Sequence, residues 1–191
     1  MKPAFFAIFC LLLYSLPAFA QQNNKLYWSE PATLAWAHFT APVPASRLSA
    51  QAANMQYKME MDYKASMVGD SLLVRINIRP VFIKTQSWAD PARVNQAALA
   101  FEQLKFDLVE LHARQLRKEL AATDFTPASL QKQIQQAYDS TLSRLEETIK
   151  QYSSESFFGT RRQVQQQWRK ETSSALQDLS AWQYQPPAAT K

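Results

Sequence analysis

The chain of 191 residues is poor in the side chains most used for metal binding and nucleophilic catalysis, with one cysteine, two histidines and two glycines. The cysteine, Cys10, lies inside an apolar run from Ala4 to Leu16 that follows Met1-Lys2-Pro3 and leads into Pro17-Ala18-Phe19-Ala20. A basic start, a short apolar core and small residues at Ala18 and Ala20 describe a cleavable signal peptide over residues 1–20. The run is shorter than the ~20 residues needed to cross a bilayer as a helix, and Phe9 before Cys10 is unlike a lipidation site. Cleavage after Ala20 would leave 171 of the 191 residues, enough for one domain with its own core. It would also leave no cysteine, which excludes disulfides, thiolate ligands and cysteine nucleophiles. Of the formal net charge of +5, Lys2 carries one, leaving about +4, a mildly basic balance.

The chain contains no repeat, heptad array, P-loop or Ser-His-Asp arrangement. Its strongest local pattern is a hairpin. From Tyr57 to Met67 the odd positions are apolar or small, and from Leu72 to Ile78 the even ones are. Gly69-Asp70 between them fits a two-residue turn that needs a positive φ. Such a turn sets Met67 opposite Leu72, Ala65 opposite Val74, Tyr63 opposite Ile76 and Met61 opposite Ile78, all on one apolar face. Pro80 lacks a donor and calls for a bulge or an edge there, with the strand resuming through Val81-Phe82-Ile83 as far as Trp88. Upstream, residues 21–30 read as a loose N-terminus and Leu34 to Phe39 as a short strand entry.

After Asp90-Pro91 the period changes to 3.6. Three helices are expected: about Ala92 to Ala121 with Leu104, Leu108, Leu111 and Leu120; Thr126-Pro127 to about Tyr152 with Leu130, Ile134, Tyr138, Leu142, Leu145, Ile149 and Tyr152; and about Arg161 to Trp182 with Val164, Trp168, Leu176 and Leu179. Residues 184–191 read as a disordered tail. The order of elements predicts an α+β domain over 31–183, an N-terminal antiparallel hairpin or small sheet packed on a bundle of about three long helices.

Three stretches carry a family resemblance. Leu34-Ala-Trp36-Ala-His-Phe39 with Pro42 is similar to an L-x-W-x-x-F-x-x-x-P motif. In the first helix, Glu102-Gln103, Phe106-Asp107, Glu110-Leu111, Ala113-Arg114 and Leu116-Arg117-Lys118 match a pattern H-E-Q-x-H-F-D-I-x-E-L-x-A-R-x-L-R-K. Tyr152, Phe158-Gly159, Gln165 and Trp168 match Y-D-x-x-T-x-H-G…Q-x-x-W. On these residues the chain resembles a bacterial domain-of-unknown-function family of predicted secreted zinc-dependent proteases. The resemblance implies a zincin-like architecture, zinc on paired histidines one helical turn apart, and a glutamate as general base at the position of Glu102. It also implies a third ligand at the position of Phe158.

All three ligand positions depart from the pattern, being Phe101, Lys105 and Phe158. A phenyl ring offers zinc no lone pair, and a lysine brings its own positive charge. No zinc or other cofactor is therefore expected. Lys105 could sit where the cation would and pair with Glu102 three residues earlier. His38, His112 and a carboxylate such as Glu102 form an alternative metal set that no spacing demands, and hydrogen-bonded histidines are the simpler reading.

Arg114, Arg117, Lys118, Arg161, Arg162, Arg169 and Lys170 suggest a basic patch. No aromatic interleaving accompanies it, so nucleic-acid binding is not expected; solvated helix faces with i,i+4 pairs are. The expectation is an exported, periplasmic or extracellular, catalytically inactive module with a protein or peptide partner and no integral span in its mature form. The alternatives are a divergent metallo-hydrolase with an altered ligand set and a basic module docked on an anionic surface.

Overall fold

The computed structural model describes residues 24–29, 33–48 and 51–184. The expected signal peptide at 1–20 lies outside these residues, as does the expected tail from 185 onward. The expectation of a loose segment over 21–30 is corrected where it can be followed: Lys25–Tyr27 is strand β1, paired antiparallel with Val81 to Ile83, with Lys25 ion-paired to Glu60 at 2.6 Å.

The hairpin forms strands β3 (Tyr57–Val68) and β4 (Ser71–Ile83). Its register sets Met67 opposite Leu72, Ala65 opposite Val74, Tyr63 opposite Ile76 and Met61 opposite Ile78, as the Gly69-Asp70 turn requires. Gly69 takes φ +59 in that turn. The same register runs on to Tyr57 opposite Phe82, so Pro80 causes no bulge. Pro80 turns its missing donor away from β3, to the side where β1 ends, and its carbonyl accepts from Trp28 N at 3.1 Å. The sheet order is β1-β4-β3, with Leu26 opposite Phe82.

β4 does not reach Trp88. A tight 3-10 turn at Lys84–Gln86 breaks it, and Trp88–Ala89 (β5) instead pairs with Ala53–Asn54 (β2) in a second small sheet. Trp36–His38 is likewise a 3-10 turn, where a strand entry was expected. Ala35 N donates to His38 Nδ1 at 3.1 Å, and the Trp36 and Phe39 rings meet at 5.2 Å, satisfying the segment locally.

Helix α1 spans Gln96–Ala121. It starts four residues later than the apolar period suggests, because the Asp90 carboxylate accepts from Ala92 N and its carbonyl from Arg93 N, closing a separate turn. Asn95 then caps the helix, its Oδ1 accepting from Ala98 N at 3.0 Å. Helix α2 spans Leu130–Glu155, and Thr126 holds its approach by accepting from Ser129 N at Oγ1 and from Leu130 N at its carbonyl. Helix α3 spans Arg162–Asp178 and tightens into a 3-10 turn over Ser180–Trp182.

The result is an α+β fold in which small N-terminal antiparallel sheets pack against three helices. α1 is its centre, with fourteen of 26 residues buried. Leu104, Leu108, Leu111, Leu116 and Leu120 meet Met59, Ile78 and Phe82 of the sheet and Leu130, Ile134, Leu145 and Tyr152 of α2 in one core. Among the described residues no helix is long and apolar enough to cross a membrane.

Candidate functional site

The N-terminal half of α1 carries two ionisable side chains with almost no access to solvent, Glu102 at 1 % exposure and Lys105 at 5 %. Isolated buried charges are costly, so each needs a partner. Lys105 Nζ lies 2.8 Å from Glu102 Oε2. The same oxygen accepts from Met55 N at 2.9 Å, just beyond β2. The ammonium also donates to Asn54 Oδ1 at 3.3 Å and sits 5.4 Å from the centre of the Phe101 ring. The expected ion pair is thus present, buried and roofed by the β2 segment.

Phe101 joins the other two departures from the zinc pattern. Its ring stacks on Tyr152 of α2 at 4.9 Å and meets Phe158 edge-on at 6.2 Å. The connection from α2 to α3 makes this approach with three successive residues at positive φ: Phe157 at 48°, Phe158 at 52° and Gly159 at 80°. Ser156 braces the turn, its Oγ donating to Tyr152 O at 2.6 Å and accepting from Gly159 N at 3.1 Å. A Cβ on Gly159 would stand 2.6 Å from Phe101 Cβ, so glycine is required by contact as well as by conformation. Phe101 and Lys105, one turn apart on α1, and Phe158 of the distant α2–α3 connection are therefore brought to one place.

The Tyr152 hydroxyl is buried there without a hydrogen-bond partner among the described residues. Burial pushes its pKa up, and the nearby Gln165 amide pulls the other way. That amide nitrogen gives one of its two hydrogens to Ala97 O at 3.1 Å.

The donor set does not fit a catalytic zinc, which takes three protein ligands and an open position. Two of the three positions are phenyl rings, the third is an ammonium, and one carboxylate oxygen of Glu102 already serves Lys105 and Met55 N. Among the described residues no three His, Cys, Asp or Glu side chains come together as a metal cluster. The alternative set therefore does not assemble. His38 Nδ1 accepts within its own turn, while His112 is buried with Nδ1 2.9 Å from Leu108 O and Nε2 3.3 Å from Thr148 Oγ1.

Lys118, Arg161, Arg162, Arg169 and Lys170 are exposed, as expected of solvated helix faces, while Arg114 is buried and departs from that expectation. Arg114 is 1 % exposed, with Nε on Glu110 Oε1 at 2.8 Å and Nη1 on Leu176 O at 2.6 Å. Arg117 reaches the same carboxylate and donates to Ile78 O at 2.7 Å and Trp182 O at 2.8 Å. These guanidinium groups tie α1 to β4 and to the end of α3. Asn54, Met55 and Tyr152 complete the Glu102 site although sequence reasoning gave them no role there. Asn54 and Met55 reach α1 across dozens of residues and leave no periodic signal, whereas Tyr152 belongs to the apolar stripe of α2.

No family model, curated protein or solved structure matches the chain.

Proposed function

We propose that this is an exported, zincin-like domain related to secreted zinc-dependent proteases, whose metal chemistry has been replaced by an internal ion pair, and which acts as a non-catalytic binding or structural module for a protein or peptide partner. The observation that carries this reading is the ammonium of Lys105 at 2.8 Å from Glu102 Oε2. A cation supplied by the chain occupies the charge environment that, by resemblance, a metal would share with the general base. The meeting of Phe101 with Phe158 supports it, because two of the positions that by resemblance would carry ligands hold apolar rings packed on each other. A working general base needs an oxygen free to take a proton from water. Glu102 Oε2 is held by two donors, and at 1 % exposure the side chain offers water almost no approach to its other oxygen.

The test is the metal content of protein purified without chelators. Zinc well below one equivalent is expected, and stoichiometric zinc would overturn the proposal in favour of a hydrolase with an altered ligand set. A peptidase assay comparing wild type with Glu102→Gln then checks the same point by activity, with no difference expected. The combined substitutions Phe101→His, Lys105→His and Phe158→His should raise zinc affinity if the three positions descend from a ligand set.

A further inference from the structure

The rest of the fold covers only part of the long hairpin, and residues 62–71 are exposed on both of its faces. Along β4 the even-numbered residues turn their backbone groups away from β3, since Pro80 O accepts from Trp28 N and Ile78 O from Arg117. Strand β1 takes this edge over Val81–Ile83. At Leu72, Val74 and Ile76 nothing among the described residues takes it, so a row of N–H and C=O groups is open to another strand. A groove of about 580 Å³ runs along the same stretch. β4 residues between Leu72 and Ile78 border it on one side and Leu120, Phe125 and Trp182 on the other, and no β3 residue lines it. On the outer face of the hairpin, Lys64 stands directly across from Arg75. Like charges so placed repel, and among the described residues neither has an ion-paired carboxylate. Beside Arg75 on that face, Leu73 is 56 % exposed.

We propose that the free edge of β4 takes an extended segment of the partner as an added strand, with apolar side chains toward the groove and a carboxylate beside Arg75. This rests on the reading of the domain as a module for a protein or peptide partner, and it names the chemistry of that partner. In an added strand, residues opposite Leu72, Val74 and Ile76 bond to their backbone groups and point into the groove, where apolar side chains belong. The residue opposite Arg75 points to the outer face. An acid there answers the Lys64–Arg75 pair, and a base adds a third like charge. The same stretch of a second copy, Ser71 to Asn77, supplies Arg75 and no acid, so it lacks the complementary charge. The other edge of the hairpin is less suited to a strand. There Tyr138 already donates to Met59 O at 2.6 Å, and Lys58, Glu60, Asp62 and Lys64 put a charge at every second residue.

Fluorescence polarisation with the full chain and labelled heptapeptides tests this. The probe carries valine at its odd positions, threonine at the second and sixth, and glutamate at the fourth. Saturable binding is expected, at least about threefold tighter than for the same peptide with lysine at the fourth position. Arg75→Glu should reverse that preference. N-methylation of the third and fifth residues, whose N–H groups would face β4, should abolish binding, and N-methylation of the fourth should leave it. No saturable binding up to about 1 mM, equal affinity for the glutamate and lysine probes, or indifference to N-methylation at the third and fifth residues would each overturn the proposal. So would a dimer in sedimentation equilibrium that excludes the probe, or binding that requires removal of residues 185–191, since either would give the edge to another occupant. Zinc content is read separately. Stoichiometric zinc would overturn the module reading, whereas zinc-free protein that ignores the probes would overturn the strand site alone.

Discussion

Helix α1 holds two buried carboxylates two turns apart, and they serve different ends. Glu110 meets Arg114 and Arg117, whose guanidinium groups go on to the backbone carbonyls of Ile78, Leu176 and Trp182. Among the described residues Glu102 meets its own-helix neighbour Lys105 and the backbone of Met55. Both are 1 % exposed. The first arrangement is architecture, since removing it would orphan acceptors on three separate segments. The second is local compensation, in which one charge makes the burial of the other tolerable. Burial of a charge thus does not reveal its role; what its partners touch next does.

The largest test of this contrast is Glu110→Ala, which leaves two guanidinium groups without their shared carboxylate. It should lower stability by about 4–5 kcal/mol in chemical denaturation. Lys105→Met leaves the Glu102 carboxylate with little besides Met55 N and should cost about 3 kcal/mol. Adding Glu102→Leu to Lys105→Met should recover at least half of that loss, because the charge that needed compensation is gone. An equal recovery after removing Glu110, Arg114 and Arg117 together would erase the distinction, since the carbonyls of Ile78, Leu176 and Trp182 would remain unserved.

Smaller effects sharpen the surroundings of each pair. Phe157 is half exposed at φ +48, a conformation costing roughly 1–2 kcal/mol for an L-residue. Phe157→Gly should therefore raise stability by about 0.5–1 kcal/mol, read as a higher denaturation midpoint, once glycine's extra unfolded-state entropy is counted. His112, two residues beyond Glu110, gives the smallest expected effect. Burial holds its pKa below the ordinary 6.5, so the folded state favours the neutral ring while the unfolded chain takes up a proton first. Its contribution is complete above about pH 6.5 and is lost as pH falls below that. Stability measured from pH 8 to pH 5 should fall less steeply in His112→Gln than in wild type.

Legibility in the sequence followed the range of the interactions. The hairpin register could be read because Gly69-Asp70 and the period-2 pattern act within a few residues of each other. The apolar stripe of α2 could be read for the same reason, and its Leu130, Ile134, Leu145 and Tyr152 are all buried. Two starts and stops were misplaced by local chemistry that competes with periodicity: Asp90 closes its own turn ahead of α1, and Lys84–Gln86 folds into a 3-10 turn that ends β4. At the candidate site, the i,i+3 spacing of Glu102 and Lys105 was enough to expect their pairing. Asn54 and Met55 as its roof were not legible, because β2 reaches α1 only through the tertiary fold. Nor was the burial of Arg114, whose i,i+4 partner Glu110 is equally compatible with a solvated helix face.

The central placement of α1 has a consequence for how the molecule comes apart. Every layer of the described fold uses this one helix as its inner wall: β4 and β3 on one side, α2 and α3 on others, the β2 segment over its first half. No layer can detach without wetting a face of α1, and α1 cannot loosen without releasing all of them. Cooperativity is therefore built into the topology of the described residues, and one unfolding transition is expected rather than a stable sheet beside a stable bundle.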